Sequence, residues 1–559
     1  MQPQTADLPL YNSLMNVASA KADKQRSGFA RWVSVAFLLV SFLVSLAFLG
    51  TRNIYDDEIT SANLLPVSTR QIIATVNSQD VHPPGMYVLA HLGYQLIPSA
   101  RWVTLFLLSV LYVGLAIFVL SFAPLFHDVA SRLCFILFAT LHPQLLMWGN
   151  SIRWYPWWTG IALIIVVVAI RPQAPEPASF STRRALALGL LLGCLFYVNY
   201  ITILFSVALV AALVFRYGWH PWKQYIAVAA TTLALVAPQL HAFLTVHMQG
   251  SKGQRSNLLL SLARLIQAIF TSEAYLPWHP MAIFALLIFL VLSVLGIIAA
   301  VHMLWNGSLS TLRERSGAVA SIVLLALIFF VLVAISGLGG KPRNALLLVP
   351  LLAPAVAIVV GGIRSRLAQY AVLCVLMVWS AGGIIHLLRR EGLAKAGMNN
   401  RPEEVLSFIE NSRGAECSVV LTYDPVLTFY LVESKLPRQM VLAYSQNTIY
   451  RNAVPFSVAS CPAIELYVVQ SYTGGFGEAA DRLPLILQQA SWYIQGPVQT
   501  HSFSLDQDAS IKRRLSVVSG ASTLPDYRYV VASGQLAPSD LTKLENQSSL
   551  FKVADGHSE

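Results

Sequence analysis

The chain has 559 residues, of which 56% are hydrophobic and only 12% are charged. A soluble globular protein carries about 25% charged residues, so this composition excludes a soluble protein and favours an integral membrane protein. The formal net charge of +11 does not indicate nucleic-acid binding, because no basic run alternates with aromatic residues on a soluble segment.

Apolar runs of about the length that crosses a ~30 Å hydrocarbon core recur along the chain. We predict a polytopic α-helical membrane protein with about eleven transmembrane helices, near residues 32–50, 101–122, 132–148, 152–170, 185–199, 200–216, 224–246, 280–302, 317–336, 344–362 and 367–386.

Lys and Arg cluster in alternate loops, which should therefore be cytoplasmic. With an odd number of spans, the sequence predicts a cytoplasmic N-terminal tail (1–31), a transmembrane domain in the inner membrane (32–386) with a first external loop at 51–100, and an extracytoplasmic α/β domain (387–559).

The C-terminal domain is predicted from a change in composition. Charge and turn residues return after residue 400, and runs rich in β-branched or aromatic residues predict strands at 418–422, 464–470 and 527–532. Cys417 and Cys461 lie beside two of these strands, and the sequence leaves open whether they form a disulfide or are two free thiols. None of the five cysteines forms a CxxC pair, which argues against a zinc or redox motif.

Three adjacent acids, Asp56, Asp57 and Glu58, follow the first predicted span. Neighbouring carboxylates repel one another and raise at least one pKa, which suits a general base. The alternative is a helix N-terminus, where acids are favoured. In the same loop, His82 precedes two prolines and a short apolar stretch, 86–97, that fits a helix lying along the membrane interface.

Two further clusters lie on the predicted external side. Asn150 and Arg153 stand within an aromatic belt that runs from Trp148 to Trp158, and aromatic belts are typical of membrane interfaces. Lys341 and Arg343 occupy a Gly/Pro turn before a late span. Arg and Lys are the side chains that hold phosphate, so we expect several external cations to line an anion-binding cleft; contact with lipid headgroups is the alternative.

Taken in order, these motifs resemble the GT-C glycosyltransferases, in particular the branch with protein O-mannosyltransferases and lipid A aminoarabinose transferases. The resemblance covers residues 51–350 and rests on five matches: Asp57-Glu58 after the first span, His82-Pro83-Pro84 in the same loop, Arg101 opening the next span, Ser151-Ile152-Arg153-Trp154-Tyr155, and the basic turn from Lys341 to Arg343. The family often has Arg-Tyr in that last turn, where this chain has Arg343-Asn344.

The resemblance implies an inverting glycosyltransferase that moves a sugar from a polyprenyl-phosphate carrier to a glycan, lipid or protein acceptor. Asp57 would be the general base, with Glu58 orienting or substituting and Asp56 beside them. The implied substrate-binding residues are His82, Arg101, Asn150, Arg153, Tyr155, Lys341 and Arg343. Some relatives use a divalent metal and others do not. Because Arg and Lys alone can neutralise a lipid monophosphate, a divalent metal stays open as a cofactor and is not part of the prediction.

Two other functions remain open at this point. A transporter or flippase for lipid-linked sugars would also be a helical bundle, although it should carry ionisable groups deep in its spans. A non-catalytic subunit of polysaccharide assembly would use the C-terminal domain for docking and would not need the acidic triplet.

Overall fold

The computed structural model describes residues 31–50, 52, 54, 56–80, 82–126, 128–170, 180–247, 257–275, part of 280–294, 309–389, 401–412, 417–422, 425–433, 439–443, 463–471, 494–504, 527–537 and 539–540. The chain divides into two compact units. The first comprises Met1–Gly50 and Pro66–Leu388, and the second comprises Thr51–Leu65 and Arg389–Glu559.

The first unit is helical throughout its described residues. Its helices are α1 (Arg31–Gly50), α3 (Thr69–Gln79), α4 (Gly85–Leu96), α5 (Ala100–Phe122), α6 (Val129–Thr140), α7 (Pro143–Gly149), α8 (Trp154–Ile170), α9 (Thr182–Phe196), α10 (Thr202–Tyr217), α11 (Trp222–Val236), α12 (Leu258–Phe270), α13 (Leu309–Ile335), α14 (Leu348–Gly361) and α15 (Arg366–Arg389).

Six helical segments of the described chain are long and apolar enough to cross a membrane: Arg31–Gly50, Ala100–Leu125, Val129–Gly149, Trp222–Val246, Gly317–Ile335 and Arg366–Arg389. Four shorter apolar helices, α8, α10, α12 and α14, accompany them. The protein is therefore a polytopic helical membrane protein. The number eleven stays a prediction, because the predicted span at 280–302 lies largely outside the described residues.

Local sequence explains where several helices begin and end. Ser99 caps α5 by accepting a hydrogen bond from the Trp102 amide, and Asp128 caps α6 by accepting one from the Ser131 amide, as N-cap side chains do. A turn at residues 197–201 separates α9 from α10. The short apolar stretch predicted to lie at the interface forms α4, which has 12 residues.

Two glycines bring α5 and α8 into backbone contact. A methyl group added at Gly160 would lie 2.5 Å from the Val110 carbonyl oxygen, and one added at Gly114 would overlap the backbone of Gly160. Small residues allow such close helix packing in membranes. This crossing fixes α8, whose first turn carries Trp154 and Tyr155.

We therefore expect Gly114→Ala to destabilise the bundle by about 1–3 kcal/mol, the usual range for overpacking. The measurement is thermal unfolding of the detergent-solubilised protein. Gly50→Ala is the matched control, since an added methyl there has no neighbour within 4 Å. Equal unfolding temperatures for the two variants would contradict this packing.

The described residues of the second unit form three helices and a five-stranded sheet. Its helices are α2 (Asp56–Leu64), α16 (Pro402–Ser412) and α17 (Pro425–Glu433), and its strands are β1 (Cys417–Thr422), β2 (Gln439–Ala443), β3 (Ile464–Ser471), β4 (Ile494–Ser504) and β5 (Tyr527–Leu536). The strand order is β2-β1-β3-β5-β4. β1 pairs in parallel with β2 and β3, whereas β5 pairs antiparallel with β3 and β4.

The core of this unit lies between the helices and the sheet. All six residues of β1 are buried, as expected of a central strand covered on both faces. The fully buried side chains of Val405, Leu427, Tyr467 and Tyr529 belong to one cluster. Cys417 is disulfide-bonded, whereas Cys134, Cys194 and Cys374 are free thiols; Cys461 lies outside the described residues.

Candidate functional site

The His-Pro-Pro turn of the first unit carries a hydrogen-bonded cluster, which we call the acid–histidine cluster (Asp80, His82, Tyr87 and Arg153). One carboxylate oxygen of Asp80 accepts hydrogen bonds from the His82 amide at 3.0 Å and from His82 Nδ1 at 2.8 Å. The other accepts one from the Tyr87 hydroxyl at 2.6 Å. Arg153 Nη1 donates to the Tyr87 hydroxyl oxygen at 3.2 Å. The structure therefore brings two predicted residues, His82 and Arg153, together.

The charges of this cluster are mutually dependent. Burial alone raises the pKa of the Asp80 carboxyl, but the hydrogen bonds and charge of His82 and the charge of Arg153 outweigh burial and hold that pKa far below its usual value. Asp80 is therefore ionised near neutral pH, and because a carboxylate can only accept, the proton of their shared bond resides on His82 Nδ1. Burial raises the pKa of Tyr87 well above its usual value of 10.0, so this phenol stays protonated and donates.

We expect Asp80→Asn to lower the free energy of unfolding by roughly 2 kcal/mol near pH 7, because bonds to charged groups contribute about 1.5–3 kcal/mol. Because the pKa of Asp80 is lower in the folded than in the unfolded protein, its carboxylate stabilises the fold at pH values above its unfolded pKa of about 3.8. This stabilisation is lost as the pH falls towards the folded pKa. The difference in unfolding free energy between wild type and variant should thus be largest at neutral pH and should shrink progressively as the pH falls below ~4. A difference that stays constant from pH 7 to pH 3 would contradict this assignment.

The position of the turn depends on Gly85, the first residue of α4. A methyl group added there would lie 2.5 Å from the Tyr197 carbonyl oxygen, so only glycine allows α4 to start this close to the end of α9. Pro84 immediately precedes the helix as its N-cap residue.

A second group, the cation–aromatic cluster (Trp148, Tyr155 and Arg343), lies where α7, α8 and the turn before α14 meet. The Arg343 guanidinium carbon lies 5.2 Å from the Trp148 ring centre and 5.9 Å from the Tyr155 ring centre. Both distances suit a cation–π interaction. The two rings pack edge to face, with centres 5.7 Å apart.

Glu273 and Gln144 hold Trp148 in place. Trp148 Nε1 and Gln144 Nε2 each donate to the same Glu273 oxygen at 2.7 Å, and the Glu273 amide donates to Gln144 Oε1 at 2.7 Å. The preceding residue, Ser272, has φ of 65°, a left-handed conformation that costs a non-glycine residue energy. A strained turn thus presents the carboxylate to the indole edge.

The turn that carries Lys341 and Arg343 runs from Gly337, which has φ of 77°, through two short 3-10 segments, Leu338–Gly340 and Pro342–Ala345. Lys341 is exposed and Arg343 is half-buried. Asn344 donates to the Leu338 carbonyl oxygen at 3.2 Å. Asn344 therefore closes this turn.

Trp154 connects the two clusters. Its ring centre lies 6.4 Å from that of His82 and 4.5 Å from that of Tyr155. The predicted residues Asn150 and Arg101 join neither cluster among the described contacts. Asn150 donates to the Leu146 carbonyl oxygen at 2.9 Å and so caps α7, while Arg101 is exposed in the first turn of α5.

The acidic triplet lies in the second unit. Asp56 and Asp57 open α2, and their side chains lie outside the described part of the structure. Glu58 is completely buried and forms an ion pair with Arg52, which is also buried. A buried carboxylate that is paired with a cation is a poor proton acceptor. This geometry therefore favours an orienting role for Glu58 over a role as the base in place of Asp57.

No protein-family model and no curated protein matches the chain in sequence. Among solved structures, the chain is similar to ArnT from Cupriavidus metallidurans bound to undecaprenyl phosphate, with a TM-score of 0.50 and 15% identity over 90% of this chain and 98% of that one. The apo structure of the same protein gives a TM-score of 0.50 and 14% identity, covering 90% and 97%. At this level of identity the likeness shows a shared fold: the chain has the fold of that protein over 90% of its length.

Proposed function

We propose that this membrane protein is an inverting glycosyltransferase that uses a polyprenyl-phosphate-linked sugar as donor and an extracytoplasmic glycan, lipid or protein as acceptor. The observation that carries the proposal is the fold: 90% of the chain aligns with ArnT. That neighbour was crystallised with undecaprenyl phosphate, which supports a polyprenyl phosphate as the carrier here. A cation at Arg343 beside two aromatic rings supports the same choice.

In this proposal Asp57 removes the proton from the acceptor hydroxyl as its oxygen attacks the anomeric carbon. The bond from that carbon to the phosphate oxygen breaks, and its electron pair stays on the departing lipid phosphate. Lys341 and Arg343 stabilise the charge that develops there. Arg101 lies in the first turn of α5, so its side chain is at the end of a span, where lipid headgroups lie. Attack opposite the leaving group inverts the anomeric centre.

Within this proposal, Arg153 and His82 have a narrower role than Lys341 and Arg343. Arg153 bonds Tyr87 beside the ionised Asp80, so part of its charge is balanced by the protein. We therefore assign Arg153 and His82 to the shape of the donor site and place the main phosphate contacts at Lys341 and Arg343.

The experiment is incubation of the purified protein with polyprenyl phosphates that carry different labelled sugars, together with envelope fractions as acceptors, followed by mass analysis. We expect one sugar to move from carrier to acceptor. If every donor is recovered intact under conditions in which the protein binds polyprenyl phosphate, the proposed reaction is wrong.

A further inference from the structure

The acidic segment, residues 51–65, belongs to the same compact unit as the C-terminal 389–559. It differs in this from the predicted arrangement, in which the whole loop 51–100 was part of the transmembrane domain. Within the unit, α2 contacts α17. Among the α2 side chains that the structure describes, all but that of Asn63 are buried, including Glu58 and Ile59.

A side chain of α17 holds the backbone just before α2. The Ile54 amide donates to the hydroxyl oxygen of Tyr430 at 3.0 Å. Ile54 precedes the helix, so its N–H has no helical partner, and a backbone donor at a part-buried position requires an acceptor. Tyr430 supplies that acceptor from a residue far away in the sequence.

Two contacts thus hold the chain on either side of Asp56 and Asp57. The buried ion pair between Arg52 and Glu58 closes the segment on itself, and the bond from Ile54 to Tyr430 attaches it to α17. Asp56 and Asp57 lie between Ile54 and Glu58 in the chain, so both contacts restrict where their backbone can move.

The helix α17 is itself firmly placed. Leu427 and Leu431, one helical turn apart, are buried in the core of the sheet together with Tyr467 and Tyr529. Tyr430 lies next to Leu431 on a neighbouring face of the helix, so the position of its backbone is set by the same packing.

We propose that Tyr430 is a positioning residue that sets the location of the acidic segment, so that the C-terminal domain takes part in the transfer reaction by placing the base. The inference rests on the proposed function. A catalytic group must be held within about 0.5 Å of its productive position, and loss of one anchor should therefore reduce turnover without removing any group that touches the substrate.

The test compares Tyr430→Phe with Tyr467→Phe in the full-length protein. Each removes one tyrosine hydroxyl from the same unit; Tyr467 donates to Glu465 at 2.8 Å and serves as the matched control. We expect Tyr430→Phe to lower kcat about 3- to 10-fold, the effect of one ordinary hydrogen bond, with an unchanged KM for the donor. Tyr467→Phe should leave kcat unchanged. Equal losses of kcat in both variants would overturn the proposal.

Hydrogen exchange separates this inference from the proposed function. Peptides covering 51–65 should exchange faster in Tyr430→Phe than in wild type or Tyr467→Phe, whether or not the protein transfers a sugar. A wild-type protein without transferase activity would refute the proposed function, whereas unchanged exchange of 51–65 in Tyr430→Phe would refute the positioning role.

Discussion

Asp57→Asn should lower the rate of sugar transfer by ~10²–10⁴-fold, the usual loss when a general base is removed. Asn has nearly the shape of Asp but accepts no proton, so affinity for the polyprenyl-phosphate donor should persist. The measurement is turnover at saturating donor, together with equilibrium binding of polyprenyl phosphate to the same preparation.

The control for Asp57→Asn is Asp128→Asn, the same chemical change at the N-cap of α6. Asn caps helices about as well as Asp, so this variant should transfer sugar at the wild-type rate. Glu58→Gln breaks the buried ion pair with Arg52 and should lower the unfolding temperature as well as turnover. Wild-type turnover in Asp57→Asn with a complete loss in a stable Glu58→Gln would place the base at Glu58 instead.

Arg343→Ala should weaken binding of polyprenyl phosphate about 10- to 100-fold, since hydrogen bonds to charged groups contribute roughly 1.5–3 kcal/mol. Arg343→Lys keeps the charge but loses the planar guanidinium over Trp148 and Tyr155, so its affinity should be intermediate. Equilibrium binding of labelled polyprenyl phosphate in detergent measures both variants.

Arg366→Ala removes an exposed arginine at the start of α15, in a loop predicted to be cytoplasmic, and should bind as wild type does. If Arg366→Ala and Arg343→Ala weaken binding equally, the assay reports overall charge and not a phosphate site at Arg343.

The helical membrane fold could be predicted from the sequence because hydrophobic spans are a local signal. Helices α5, α8 and α15 occupy the apolar runs that predicted them. Helix α12 was missed, although it packs on the turn at Leu338–Gly340. It is amphipathic, with Ser261 buried and Leu259 exposed, and 13 residues are too few to register as a span.

Members of the two clusters could be predicted only where a motif marked them. His82, Arg153 and Arg343 stand in recognisable patterns, and the structure places each in a cluster. Glu273 was missed because its partner is distant in sequence: it accepts a hydrogen bond from Trp148. Asp80 was missed although its partners His82 and Tyr87 are near it in the chain. For Asp80, a carboxylate two residues before the histidine was a usable signal. The pairing of residue 54 with Tyr430 leaves no mark in a single sequence.

One measurement tests the central claim most directly. The purified protein is placed in liposomes with a labelled polyprenyl-phosphate sugar and the acceptor, and three species are counted: glycosylated acceptor, free polyprenyl phosphate and intact donor in each leaflet. If the protein is a glycosyltransferase, glycosylated acceptor and free polyprenyl phosphate should form in equal amounts, and the anomeric centre of the transferred sugar should be inverted. Intact donor that moves between leaflets without release of polyprenyl phosphate would contradict the account and identify a flippase.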